Sequence, residues 1–119
     1  MTPDRVATLV VETLDSKKAQ DIKLLKTTDI TTLADYFVIC TATSTTHLKT
    51  LSDEVEKVLK DNGEMPRRRE GTRSGGWILI DFACVIVHLF LQESREFYTL
   101  ERLWSDAEEV ESGEMKEES

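Results

Sequence analysis

The chain has 119 residues, of which 39% are hydrophobic and 32% charged, with a net charge of -8. That length supports one domain burying roughly two-thirds of its unfolded surface, so neither a metal nor a disulfide is needed for folding. No apolar segment approaches the roughly 18 to 20 residues that a spanning helix requires, because Asp81, His88 and Gln92 interrupt the candidate stretch.

The charge is unevenly spread. Residues 105–119 hold seven acids and one base, -6, whereas residues 1–104 carry 16 acids against 14 bases, -2. We therefore expect a nearly neutral domain over 1–104 and an acidic, disordered tail over 105–119. The start, MTPDRVATLVVETLDSKKAQD, mixes acids with bases and has no apolar secretory core, which points to the cytoplasm. Cys40 and Cys84 lack CxxC spacing and read as small buried hydrophobes of a reducing compartment.

Thr2 and Pro3 make a helix start, and Val6, Leu9, Val10, Thr13 and Leu14 follow at helical spacing. Residues 21–27 (DIKLLKT) predict a strand, then a Thr/Asp-rich connector. Residues 36–41 (YFVICT) carry no charge and predict a strand covered on both faces, with Asp35 at its entrance. The hydroxyls of residues 43–46 offer caps for a second helix whose face is Leu48, Leu51, Val55, Val58 and Leu59, closed by Asn62 and Gly63. Residues 65–70 (MPRRRE) suit an edge strand, since proline and charge both belong at edges. A flexible connection over 71–76 follows, then two strands, 77–82 and 85–91, around the short Ala83-Cys84 break. Residues 95–104 (REFYTLERLW) predict a turn or short helix with five large apolar side chains, more than one helical stripe can bury. The order α-β-β-α-β-β-β-α predicts an α/β domain with a mixed sheet of about five strands and flanking helices.

Catalytic signals are sparse. His47 and His88 have no metal-ligand spacing; His88 reads as a hydrogen-bonded structural histidine and His47 as a surface cap residue. No nucleophile elbow or phosphate loop is present. Thr43-Ser44 at a strand end resembles the opening of a nucleotidyl-transfer site, but Asp81 and Asp35 are isolated where such chemistry needs clustered carboxylates. We therefore assign no catalytic, cofactor-binding or metal-ligating residue, with an enzyme of nucleotidyltransferase type as the alternative. Arg67, Arg68 and Arg69 offer a minor contact to RNA phosphate, without interleaved aromatics for stacking.

Alternation over 77–82 is more informative. Trp77, Leu79 and Asp81 share one face; Ile78, Ile80 and Phe82 share the other, which is wholly apolar. The mixed face has the composition of an interaction patch, and equally of a sheet surface beneath a helix.

In order and spacing, QDI (20–22), ADYFVICTATS (34–44), THLKTLSDEVE, WILIDF, VIVHLF and ESREFYTLERLW resemble the ribosomal silencing factor family, which is related to the plant Iojap protein. The resemblance covers 6–105. Where the family usually has Gly-Asp between the last two strands, this chain has Ala83-Cys84. The resemblance implies a nucleotidyltransferase-like shape without catalytic acids. It also implies binding to the large ribosomal subunit through its fourteenth protein, steric exclusion of the small subunit and translational repression under nutrient limitation, with a further role in large-subunit assembly. Trp77, Leu79, Asp81, Tyr98 and Glu101 are the partner contacts it implies, the carboxylates meeting basic groups. A homodimer when free is the remaining expectation.

Overall fold

The computed structural model describes residues 2–27, 34–72, 74–92 and 108–109. Helix α1 (Pro3–Ser16) begins as its sequence dictates: the Thr2 hydroxyl accepts the Arg5 amide hydrogen at 3.2 Å, with proline in the first turn. Val6, Val10 and Leu14 form its buried stripe. Helix α2 (Thr45–Asp61) is capped by Ser44, whose hydroxyl accepts the His47 amide hydrogen at 3.0 Å, and ends at Asn62 with Gly63 at φ +85°.

The strands are β1 (Gln20–Lys26), β2 (Tyr36–Ala42), β3 (Arg68–Thr72), β4 (Trp77–Asp81), β5 (Val85–Leu91) and the two-residue β6 (Glu108–Glu109). They form one sheet in the order β3-β4-β5-β2-β1-β6. Strands β2 and β5 run parallel; the other pairings among the described residues are antiparallel, so the sheet is mixed as expected. Every residue of β2 is buried, the condition its uncharged sequence required.

Both helices pack on one face. Val6, Val10 and Leu14 from α1 and Leu48, Leu51, Val55 and Leu59 from α2 close over Val38, Cys40, Ile78, Ile80, Val87 and Leu89. The Tyr36 hydroxyl donates to the Asp4 carboxylate at 2.7 Å and ties β2 to the start of α1.

Several details depart from the sequence reading. The edge strand starts at Arg68 and runs through Gly71 and Thr72, so the first two residues of the expected flexible connection are β-ladder, and the Gly75 amide donates to the Thr72 carbonyl at 3.2 Å. Gly71 makes this possible: its φ is +85°, and a Cβ there would collide with the Trp77 carbonyl oxygen. Cys84 is half-buried in the β4–β5 turn, while Cys40 is fully buried; neither forms a disulfide. Residues 108 and 109 pair with Lys26 and Leu25 at the β1 edge. The expected segment 95–104, and the remainder of the acidic tail, lie outside the described residues.

Candidate functional site: the outer sheet face and its arginine margin

The face of the sheet opposite the helices is built from alternate residues of neighbouring strands. Leu25, Phe37, Ile39, Leu79, Ile86 and Phe90 form its apolar cluster, with the half-buried Trp77 packed against it. Register explains the set: Trp77 lies opposite Phe90, Leu79 opposite His88, and Ile39 opposite His88 on the other side. The predicted alternation therefore holds, with Trp77, Leu79 and Asp81 on this face and Ile78 and Ile80 beneath the helices. No helix among the described residues lies on this face. Leu79, Phe90 and their neighbours are nonetheless buried, and the aromatic edge at Trp77 is more accessible.

An aromatic row crosses the face. Trp77 stacks on Phe90 with centroids 6.5 Å apart, Phe90 lies parallel to His88 at 6.1 Å, and Phe37 tilts against His88 at 5.2 Å. The His88 ring is buried, and neither nitrogen has a hydrogen-bond partner among the described residues. This corrects the expectation of a hydrogen-bonded histidine. Burial pushes its pKa down to about 4, because desolvation penalises the imidazolium form.

Asp81 also departs from expectation. Its side chain is fully buried, and its Oδ2 accepts from Arg67 Nη2 at 2.9 Å and from Arg68 Nε at 3.2 Å. Its Oδ1 accepts the Ala83 amide hydrogen at 2.7 Å. Burial alone would raise the carboxyl pKa. The Arg67 hydrogen bond, the Ala83 amide and the two guanidinium charges outweigh it and hold the carboxyl below its ordinary range. The carboxylate expected to face a basic partner is thus turned sideways onto the chain's own arginines. Arg69, on the helix side, pairs with Glu56 at 3.1 Å and reaches the Ser52 hydroxyl at 3.0 Å. Of the remaining predicted contacts, Tyr98 and Glu101 lie outside the described residues.

A second region is a cleft of about 500 Å³ at the C-terminal ends of the parallel pair β2 and β5, lined by Gln20, Thr41, Thr43, Ser44, Thr45 and Gln92 among others. This is where an open α/β sheet commonly binds ligands. Its walls carry hydroxyls and amides rather than carboxylates, and among the described residues no three His, Cys, Asp or Glu side chains converge as a metal site. His47 braces the cleft's rim and is more than a surface cap. Its Nδ1 accepts the Thr43 amide hydrogen at 2.9 Å, which leaves Nε2 to donate to the Lys17 carbonyl at 2.8 Å and joins the end of α1 to the start of α2. No local motif announces that 30-residue separation.

The family model "Ribosomal silencing factor during starvation" matches residues 1–119. The chain belongs to this family. It is 36% identical over 111 residues to the ribosomal silencing factor of Halalkalibacterium halodurans, covering 93% of this chain and 95% of that one. It is also 34% identical over 100 residues to the mouse protein named for mitochondrial assembly of the ribosomal large subunit, covering 82% of this chain and 44% of the relative. A solved structure from Chromobacterium violaceum superposes with a TM-score of 0.85 at 33% identity and covers 88% of each chain. A second, from Bacillus halodurans, gives 0.76 at 35% identity, covering 87% of this chain and 93% of that one. As a silencing factor the chain has a ribosome-associated, regulatory role, and its α/β fold is that of its solved relatives. None of its described helices is long and apolar enough to cross a membrane.

Proposed function

We propose that this silencing factor represses translation in the cytoplasm by occupying a surface of the large ribosomal subunit, at its fourteenth protein, and sterically blocking the small subunit from joining. Such repression requires no catalysis and no cofactor. The observation that carries it is the composition of the outer sheet face: an aromatic row that ends at the half-buried Trp77, its more accessible edge. Large aromatic groups at such an edge suit burial in a partner's pocket, where a few residues supply most of the binding energy. Trp77, Leu79, Tyr98 and Glu101 form the contact set, and Asp81 joins it through the arginines it holds. Arg67 and Arg68 provide the accompanying RNA contact, and Arg69, turned to the helix side, does not join them.

Sucrose-gradient sedimentation tests this reading. Tagged protein from starved cells should travel with free large subunits, and added protein should lower the joined-ribosome peak while raising both free-subunit peaks. Trp77→Ala should abolish both effects while retaining the native circular dichroism spectrum. Wild-type protein absent from the large-subunit fractions would end the proposal; a dimer sedimenting apart from ribosomes would favour a scaffold instead. The name of the mouse relative favours a second role in large-subunit assembly, which deletion would reveal as accumulation of immature subunits.

A further inference from the structure

We infer that Asp81 is a positioning residue that presents Arg67 and Arg68 as a paired cationic fork at the β3 margin of the docking face, where they take a phosphate group of ribosomal RNA. The inference rests on the proposed association with the large subunit and reverses the polarity expected at this position. A carboxylate on a docking face ordinarily selects a basic partner, but this one is already enclosed by the chain's own cations.

Arg68 lies opposite Asp81 in the β3–β4 register, so both project from the outer face on the same side as Trp77. Arg67, one residue before the strand, reaches back to the same oxygen. Two guanidinium groups thus converge on a single carboxylate oxygen, which brings two like charges close to each other. The carboxylate is 0% exposed, whereas the Arg67 and Arg68 side chains are 62% and 55% exposed. The anion is consequently beneath the surface and the cations are on it.

Donors remain to be used. A guanidinium carries five N–H groups; Arg67 commits one nitrogen to Asp81, and Arg68 commits Nε to Asp81 and Nη1 to Glu70. The Glu70 pair, at 3.2 Å between half-exposed groups, is the kind of surface contact that water or an incoming anion displaces at little cost. Planar forks with spare parallel donors match phosphate oxygens bidentately, which lysines at the same places would not do. The fork also lies on the edge strand, which has no further strand outside it among the described residues.

The test uses the full-length protein, large subunits from the source organism and a fluorescein-labelled RNA duplex of about 16 base pairs, with affinity measured across a potassium chloride series. Replacing both arginines (Arg67→Gln with Arg68→Gln) should weaken subunit binding about tenfold at about 0.1 M salt. The same change should reduce the slope of log affinity against log salt by about 1, as expected for one phosphate no longer neutralised, and weaken duplex binding in parallel. Glu70→Gln should tighten binding to both targets about threefold. Asp81→Asn supplies the readout that separates positioning from simple charge. It removes a negative charge, which alone would strengthen phosphate binding, yet loss of the clamp should weaken it and flatten the salt slope.

An unchanged slope in the double arginine variant would overturn the inference while leaving subunit association standing. Tighter subunit binding in that variant would overturn it too, by showing that the released carboxylate meets a cationic protein group. Weakened subunit binding with unchanged duplex binding would move the contact to a protein carboxylate. Wild-type protein that fails to bind subunits at all would overturn this inference together with the reading beneath it. Tighter duplex binding by folded Asp81→Asn would overturn the positioning role; if that variant fails to fold, Arg67→Lys with Arg68→Lys decides, since it keeps both charges without the planar fork, and wild-type affinity there would overturn the role of the fork.

Discussion

The two faces of the sheet are built by the same strands yet solve different problems. The helix-covered face is aliphatic, contains Val38, Ile80, Val87 and Leu89, and meets two amphipathic helices whose buried stripes are spaced for that purpose. The outer face interrupts its apolar cluster with a histidine lacking hydrogen bonds among the described residues and a carboxylate clamped by arginines, and it ends in a half-buried tryptophan. A face optimised only for stability would not carry these groups, because each buried polar atom costs more than an aliphatic one unless fully satisfied. The first face is the fold's foundation, and the second carries the groups on which the proposed docking rests.

Cavity formation draws this contrast most sharply. Leu51 is fully buried between α2 and the sheet, so Leu51→Ala should cost about 3 kcal/mol, within the range for such truncations. Urea unfolding would measure it, and subunit association per folded molecule should stay unchanged. Trp77→Ala should do the reverse, losing association with a smaller stability cost. If both variants lost stability and association in the same proportion, the functional distinction between the faces would collapse.

His88 gives the next largest effect. Its folded-state pKa of about 4 lies below the ordinary value of 6.5, so between those values the unfolded chain binds more protons than the folded one. The stability this neutral ring preserves is therefore present above about pH 6.5 and is lost as pH falls toward 4, about 3 kcal/mol in all. His88→Phe, which keeps an aromatic ring against Phe90 and Phe37, should remove that dependence and raise stability at about pH 5. Urea midpoints at about pH 7 and about pH 5 for both proteins would check it; parallel pH dependences would assign the acid sensitivity elsewhere.

Gly71→Ala sharpens the comparison at the margin where the outer face meets the edge strand. The added methyl group would press on the Trp77 backbone at a φ that side chains avoid, so a cost of about 2 kcal/mol is expected. That destabilisation should be accompanied by a shift in tryptophan fluorescence, since the same Cβ would also touch the Trp77 ring. A stability change without a spectral change would place the strain away from Trp77.

What the sequence disclosed divides along the same line. Period and capping located α1, α2, β2 and β5 within a residue or two, because apolar spacing, Thr2, Ser44 and Asn62 act locally. The alternation also separated Trp77, Leu79 and Asp81 from Ile78 and Ile80. It could not show that Asp81 faces inward onto Arg67 and Arg68, since that pairing spans 13 and 14 residues and depends on register. For the same reason the role of Gly71 and the contact of His47 with Lys17 stayed hidden: glycine reads as flexible until its neighbour across the ladder is known.

The smallest expected effect lies at the turn below the clamp. Ala83 has φ +71°, a left-handed conformation that costs an L-residue about 1–2 kcal/mol, and it is held there because its amide hydrogen bonds to Asp81 Oδ1. Glycine adopts this φ freely but loses more backbone entropy on folding, about 0.5–1 kcal/mol. Ala83→Gly should therefore stabilise the domain by about 0.5–1 kcal/mol, read as a higher urea midpoint with an unchanged slope. Because the Ala83 amide and the two arginines share one carboxylate, the benefit should shrink in Asp81→Asn, where the turn is no longer held as tightly. Equal gains in both backgrounds would show that turn and clamp are independent, and that the strain at Ala83 serves the hairpin alone.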